Sequence, residues 1–116
     1  MNEIWILGAA GRVGSGVALN LSKRGLPLVL VGRDRAKLEA LAATLPSAPR
    51  LLAATFDETL TALQQSAAAV VVNTIGPFAR TMTPVVRAMP DGARYVDVTN
   101  ELASVLQLSE LHGDLT

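Results

Sequence analysis

Ile4-Trp5-Ile6-Leu7-Gly8-Ala9-Ala10-Gly11-Arg12-Val13-Gly14 is the stretch that decides the fold. Ile4 to Leu7 run apolar without alternation, as suits a strand buried on both faces. Gly8, Gly11 and Gly14 follow at three-residue spacing, and Val13, Val17 and Leu21 then recur at helical spacing. Strand, glycine turn and helix in that order predict the opening of a dinucleotide-binding unit. Gly8 lets the chain turn off the strand, Gly11 has no side chain to obstruct a pyrophosphate, and Gly14 lets the helix lie close to the sheet. The free N–H groups of the first helical turn then face the phosphates. The alternative is a tight strand–helix turn with no ligand. The surrounding pattern favours a nucleotide.

Outward from this stretch, the same pattern repeats. Residues 12–24 read as a helix ending at Gly25, and Leu28 to Val31 as a second apolar strand, which completes a parallel crossover. Asp34 is placed to cap a helix whose apolar face is Leu38, Leu41, Ala42 and Leu45. Arg50 to Phe56 reads as a third strand, followed by a short helix starting at Asp57 and Glu58 and carrying Leu60 and Leu63. Ala68 to Val72 is a fourth strand. Beyond the loop Asn73-Thr74-Ile75-Gly76-Pro77-Phe78, Met82, Val85, Val86 and Met89 suggest one face of a helix with Pro84 in its first turn. Tyr95 to Val98 is a fifth strand, and a last helix is expected from about Asn100 to Leu111, with Leu102, Val105 and Leu106 inward. Strands alternating with helices predict a three-layer αβα, Rossmann-type doubly wound parallel sheet in the order 3-2-1-4-5. Right-handed crossovers put the loops after strands 1, 2 and 4 on one edge, where ligands bind.

Composition agrees. The 116 residues are half apolar but only 3% aromatic, and mean hydropathy is +0.37, as small aliphatics under helices would give. There is no Cys, which excludes disulfides, thiolate metal sites and a Cys nucleophile. No His/Asp/Glu spacing suggests a metal site. No apolar run reaches membrane-spanning length, and Met1-Asn2-Glu3 has no basic leader, so a cytoplasmic protein without membrane association is expected. Net charge is zero, yet residues 1–50 hold seven Lys/Arg against three Asp/Glu, and residues 51–116 the reverse. That balance argues against nucleic acid and fits a local anionic ligand near the N-terminal half, although surface charge can also be incidental.

The end of the second strand, Val31-Gly32-Arg33-Asp34, bears on cofactor choice. An NAD site usually has an acid there for the ribose 2′-hydroxyl. Gly32 stands at about that position, leaving room, and Arg33 offers a planar cation suited to a 2′-phosphate. NADP is therefore favoured over NAD, with Asp34 better explained as a helix cap. Arg12 faces either the pyrophosphate or the 2′-phosphate, or is a solvated arginine. Asp57 accepts from the adenine amino group, caps its helix, or does both. In the loop after strand 4, Asn73 and Thr74 supply polar groups and Gly76 permits close approach to the nicotinamide ribose; the alternative is a turn serving topology alone. With Gly8, Ala10, Gly11, Val13 and Gly14 from the glycine turn, these are the candidate cofactor residues.

These pieces resemble the N-terminal domain of the saccharopine dehydrogenase-like family, including its trans-acting enoyl reductase members. The matching segments are Gly8-Ala9-Ala10-Gly11-Arg12-Val13-Gly14, Val31 to Leu38, Val72-Asn73-Thr74-Ile75-Gly76-Pro77-Phe78, Pro84 to Ala88 and Tyr95-Val96-Asp97-Val98-Thr99-Asn100-Glu101. The resemblance spans essentially the whole chain. It implies an NADP(H)-binding domain of an oxidoreductase. By that likeness Gly8, Gly11, Arg12 and Val13 hold the pyrophosphate, Arg33 the 2′-phosphate, and Thr74 and Gly76 the nicotinamide side. The chain departs from the family at Asn100, where Gly is usual, and in a short Met89-Pro90-Asp91-Gly92 connection.

Family members continue into a substrate domain, so residues 1–116 are expected to be the cofactor domain alone, with small-molecule substrate bound only by the missing part. Hydride transfer is the chemistry expected of the intact protein. No catalytic residue is assigned: His112 lies near the end of the chain, Asp97 and Glu101 near the end of strand 5 either orient substrate in the intact protein or, for Glu101, serve as a helix-start charge, and Tyr95 is not part of a Tyr-x-x-x-Lys pair. A non-catalytic nucleotide-sensing or partner-binding domain is the alternative. A missing sixth strand would leave apolar surface near strand 5 and the last helix, from which self-association is expected.

Overall fold

A computed structural model describes residues 3–97. Five strands, β1 (Glu3–Leu7), β2 (Leu28–Gly32), β3 (Arg50–Ala53), β4 (Ala68–Asn73) and β5 (Arg94–Asp97), form one parallel sheet in the order β3-β2-β1-β4-β5. Four helices connect them: α1 (Arg12–Lys23), α2 (Arg35–Ala42), α3 (Phe56–Gln64) and α4 (Phe78–Ala88). The order is the one expected, and it reverses direction between β1 and β4, where Leu7 lies level with Asn73.

The period of two along each strand divides the core between the two faces of the sheet. Trp5, Leu7, Val29, Val31 and Val71 pack on one face with Leu63 of α3 and Val85 and Ala88 of α4. Ile6, Leu28, Leu30 and Val72 pack on the other with Ala18 of α1, Leu38 of α2 and Leu45 just beyond it. Because both faces are covered, the central strands carry apolar residues without alternation.

Three expectations need correction. The third strand stops at Ala53, not Phe56, because Thr55 caps α3. The Thr55 hydroxyl accepts from Glu58 N–H at 3.1 Å, and Glu58 Oε1 accepts from Thr55 N–H at 2.8 Å. This reciprocal pair satisfies two donors that would otherwise be orphaned, which favours helix over strand from Phe56 onward.

Pro84 does not mark the first turn of α4. The helix begins six residues earlier at Phe78, so Pro84 lies inside it. Its missing N–H deprives the Arg80 carbonyl of an intrahelical donor, but Arg80 is exposed and water can replace that bond. The earlier start also turns the buried face. Thr81, Val85 and Ala88 point inward, at i, i+4 and i+7, while Met82 and Val86 remain 45% and 44% exposed. The last residue expected in the fifth strand, Val98, and the expected helix 100–111 with His112 lie outside the described residues.

Candidate functional site

The carboxyl ends of β1, β2 and β4 bring three loops to one edge of the sheet. The first is the glycine turn. Gly8 has φ +78°, a left-handed conformation that a side chain would strain, and a Cβ there would meet the Thr74 hydroxyl oxygen at 2.5 Å. A Cβ on Gly14 would collide with the Gly8 carbonyl oxygen and sit 2.9 Å from Ala9 Cα. Both glycines are therefore required by packing. The turn closes through Gly8 N–H and Ala9 N–H, both donating to the Val31 carbonyl at 3.0 Å, and Gly11 N–H donating to the Gly8 carbonyl at 3.0 Å.

Helix α1 starts from Gly11 with no side-chain cap and no acid in its first turn. Its first-turn amides, on Arg12, Val13 and Gly14, have no intrahelical acceptor by the geometry of an α-helix. Gly11, Arg12 and Val13 are exposed. A cap side chain would occupy the place where an anion meets these donors. The bare terminus with its positive dipole end is suited to a phosphate group.

The second loop leaves β2. Gly32 is half-buried, and a Cβ there would touch Leu38 Cδ2 at 3.3 Å, so an acidic side chain at this position would crowd the α2 packing. Arg33 is exposed and makes no ion pair among the described residues. Asp34 caps α2, its Oδ1 accepting from Lys37 N–H at 3.2 Å, and so is engaged as the sequence suggested. Asp57 lies in the first turn of α3, just past the end of β3, and is exposed. Thr55, not Asp57, provides the cap; the Thr55-x-x-Glu58 spacing was the signal for it.

The third loop follows β4, and here the structure corrects the role of Asn73. Its side chain is wholly buried. Asn73 Nδ2 donates to Thr81 Oγ1 and to the Tyr95 hydroxyl, both at 3.0 Å, and Oδ1 accepts from Ile75 N–H at 3.0 Å. With both amide protons and the carbonyl engaged inside the fold, Asn73 shapes the loop from beneath. Thr74 is also tied inward, its hydroxyl donating to the Leu7 carbonyl at 2.7 Å, with the Gly8 carbonyl at 3.2 Å. Gly76 is exposed, and a Cβ added there would meet nothing nearer than Phe78 Cε2 at 4.0 Å, so the space beside it is open. Sequence reasoning missed Thr81 and Tyr95 as supports of this loop, since no spacing in the chain links them to Asn73.

Charge is also segregated. The bidentate pair between Arg50 and Glu3, at 2.8 and 2.9 Å, lies at the opposite edge of the sheet, at the start of β3 and β1. The Arg50 guanidinium bonded to it holds the Glu3 carboxyl below its ordinary value, and the same bond raises Arg50. At the loop edge, Arg12 and Arg33 have no such carboxylate among the described residues. No group of three or more His, Cys, Asp or Glu residues that could hold a metal occurs among the described residues.

The edge fits a dinucleotide in three respects: an uncapped helix start, a cation with no carboxylate partner among the described residues, and open space beside Gly76. Solved structures share the architecture. A Rossmann-fold NAD(P)-binding family protein from Shigella flexneri superposes with a TM-score of 0.64 at 24% identity, over 82% of this chain and 50% of that one. BdcA from E. coli gives 0.57 at 16% identity, over 97% and 72%. A short chain dehydrogenase from Bacillus anthracis gives 0.52 at 17% identity, over 65% and 34%. The chain thus spans a third to a half of the first and last of these proteins. At such identities the likeness is one of fold. No curated protein matches the chain. No helix among the described residues is long and apolar enough to cross a membrane. The family model for the saccharopine dehydrogenase NADP binding domain matches residues 4–113, from the first strand through the glycine turn and the β4 loop and beyond, and the chain belongs to that family as an NADP-binding domain.

Proposed function

We propose that residues 1–116 form the cofactor half of an NADP-dependent oxidoreductase whose substrate domain lies outside this sequence. When bound, the cofactor supplies hydride transfer at its nicotinamide ring. The chain's own task is to bind and orient it. The first-turn amides of Arg12, Val13 and Gly14 receive the pyrophosphate, and Gly8, Ala10 and Gly11 keep the backbone close to it. Arg33 pairs with the 2′-phosphate next to Gly32, where no acidic side chain competes with it, Arg12 adds a second cation, and Asp57 accepts from the adenine amino group. The backbone at Thr74, Ile75 and Gly76 borders the nicotinamide half.

The observation that carries this reading is the uncapped start of α1 beside an arginine with no partner among the described residues, at the point where strand order reverses. Calorimetric titration with NADPH and NADH, repeated on Arg33→Glu, tests it. NADPH should bind more tightly than NADH, and the substitution should weaken NADPH by about 10- to 100-fold, the worth of a charge-assisted hydrogen bond, while sparing NADH. Equal loss of both cofactors would remove Arg33 from the 2′-phosphate.

The same reading extends to assembly. β5 is an outer strand of the described sheet and carries Val96 at 44% exposure. An outer strand carrying an exposed valine favours pairing with a second copy through β5 and the segment after it. Light scattering should therefore give a mass that rises with concentration toward that of a dimer, and a constant monomer mass would contradict it.

A further inference from the structure

The loop after β4 is held on both sides by side chains before any ligand arrives. Both polar groups of the Ile75 backbone are fixed: its N–H donates to Asn73 Oδ1 at 3.0 Å, and its carbonyl accepts from the Thr81 hydroxyl at 2.7 Å. Thr81 in turn accepts from Asn73 Nδ2, whose other proton goes to the Tyr95 hydroxyl. These bonds link β4, α4 and β5 in one network around a single residue of the loop, with Asn73 and Thr81 themselves buried. On the other side, Thr74 joins the loop to β1, its N–H and its hydroxyl both donating to the Leu7 carbonyl, at 3.0 and 2.7 Å. Among the described residues, no buried side-chain nitrogen or oxygen lacks a partner.

Such a network has a cost that core packing alone would avoid. Asn73 and Thr81 bury polar groups where apolar side chains could pack, and a partly satisfied version would be worse than an apolar one. What the bonds secure is the position of the Ile75–Gly76 backbone next to open space. We propose that Asn73 and Thr81 are positioning residues for the nicotinamide half of the cofactor, acting through the backbone of Ile75. They touch no ligand. They hold the loop in its binding shape, so ordering is not required at the moment of binding. The proposal rests on the reading that this loop borders the nicotinamide half.

The test separates the two halves of the cofactor. Adenosine 2′,5′-bisphosphate carries the adenine and the 2′-phosphate but neither the pyrophosphate bridge nor the nicotinamide. Thr81→Val keeps shape and removes the hydroxyl, leaving the Ile75 carbonyl without its donor. Its expected effect is an approximately tenfold loss of NADPH affinity, as for one lost hydrogen bond near a buried acceptor. Adenosine 2′,5′-bisphosphate should bind within twofold of the parent, and Thr81→Ser should restore NADPH. Unchanged NADPH binding, or equal loss of both ligands in a folded variant, would overturn the assignment. If the parent chain binds NADPH no more tightly than the bisphosphate, the loop does not meet the nicotinamide half and the underlying reading fails first.

Hydrogen exchange on the unaltered protein gives a second measurement if Thr81→Val does not fold. The Ile75 amide should be protected without cofactor. Protection that arises only on adding NADPH would show that the ligand orders the loop and would contradict the proposal.

Discussion

The glycine turn and the β4–α4 loop lie side by side at the same edge of the sheet, yet their shapes have opposite origins. In the first, shape comes from what is missing. Gly8 and Gly14 are in place because a Cβ at either would strike Thr74 or the Gly8 carbonyl, and the bonds closing the turn are backbone to backbone. In the second, shape comes from side chains: Asn73, Thr74, Thr81 and Tyr95 hold the loop through their own polar groups. A backbone turn on a helix start offers fixed donors to any phosphate. A loop held by side chains can be tuned, one residue at a time, to whatever lies above it.

That contrast can be broken most forcefully at Gly14. Gly14→Ala puts a methyl group into the Gly8 carbonyl, and since backbone is on both sides it cannot give way cheaply. The expected loss is about 1–3 kcal/mol of unfolding free energy or more, as for overpacking in a tight core. Denaturant titration measures it. Gly16→Ala, in the same helix, meets nothing within 4 Å and should instead stabilise by roughly 0.5–1 kcal/mol. If the two substitutions behaved alike, glycine in this turn would not be a packing requirement.

Thr74→Val sharpens the other side of the comparison. It removes the 2.7 Å bond to Leu7 while the N–H bond to the same carbonyl stays. A loss of about 0.5–1.5 kcal/mol, smaller than at Gly14, is expected from thermal unfolding. The smallest effect belongs to the far edge. Glu3→Gln should lower stability by about 0.2–1 kcal/mol at neutral pH, because the Arg50 side chain is largely exposed. The folded Glu3 carboxyl titrates below its ordinary value of 4.5. The difference from the variant should thus be fully present above that value and fade as pH falls through the folded one.

The same contrast explains what the sequence made legible. The glycine turn is signalled locally: Gly8, Gly11 and Gly14 fall within seven residues, so strand, turn and helix could be read in order, although its closure on Val31 and its contact with Thr74 could not. Strand order followed from the alternation of apolar runs with helical periods, and Asp34 as a cap followed from its place before Leu38. The β4 loop is not local. Thr74 meets Leu7 across 67 positions and Asn73 meets Tyr95 across 22, distances at which polar residues give no spacing signal. Asn73 therefore looked like a ligand contact when its amide is spent inside the fold. The boundary of α3 was legible, since Thr55-x-x-Glu58 is a capping pattern, and Ala54 just before it is a poor strand former that also argued for an earlier strand end than Phe56. Pro84 misled because Pro is so often found in a first turn. Arg80, whose carbonyl loses its intrahelical donor, lies on the exposed face, which lets the helix carry Pro84 later.

Backbone amide mapping by NMR during an NADPH titration tests the central claim most directly. The largest shift changes should fall on Gly11, Arg12, Val13 and Gly14 and on Ile75 and Gly76, the two loops flanking the β1–β4 reversal. Changes centred instead on Ala67 to Ala69 and Gly92 to Ala93, the shallow groove at the opposite edge of the sheet, with the glycine turn unmoved, would contradict it.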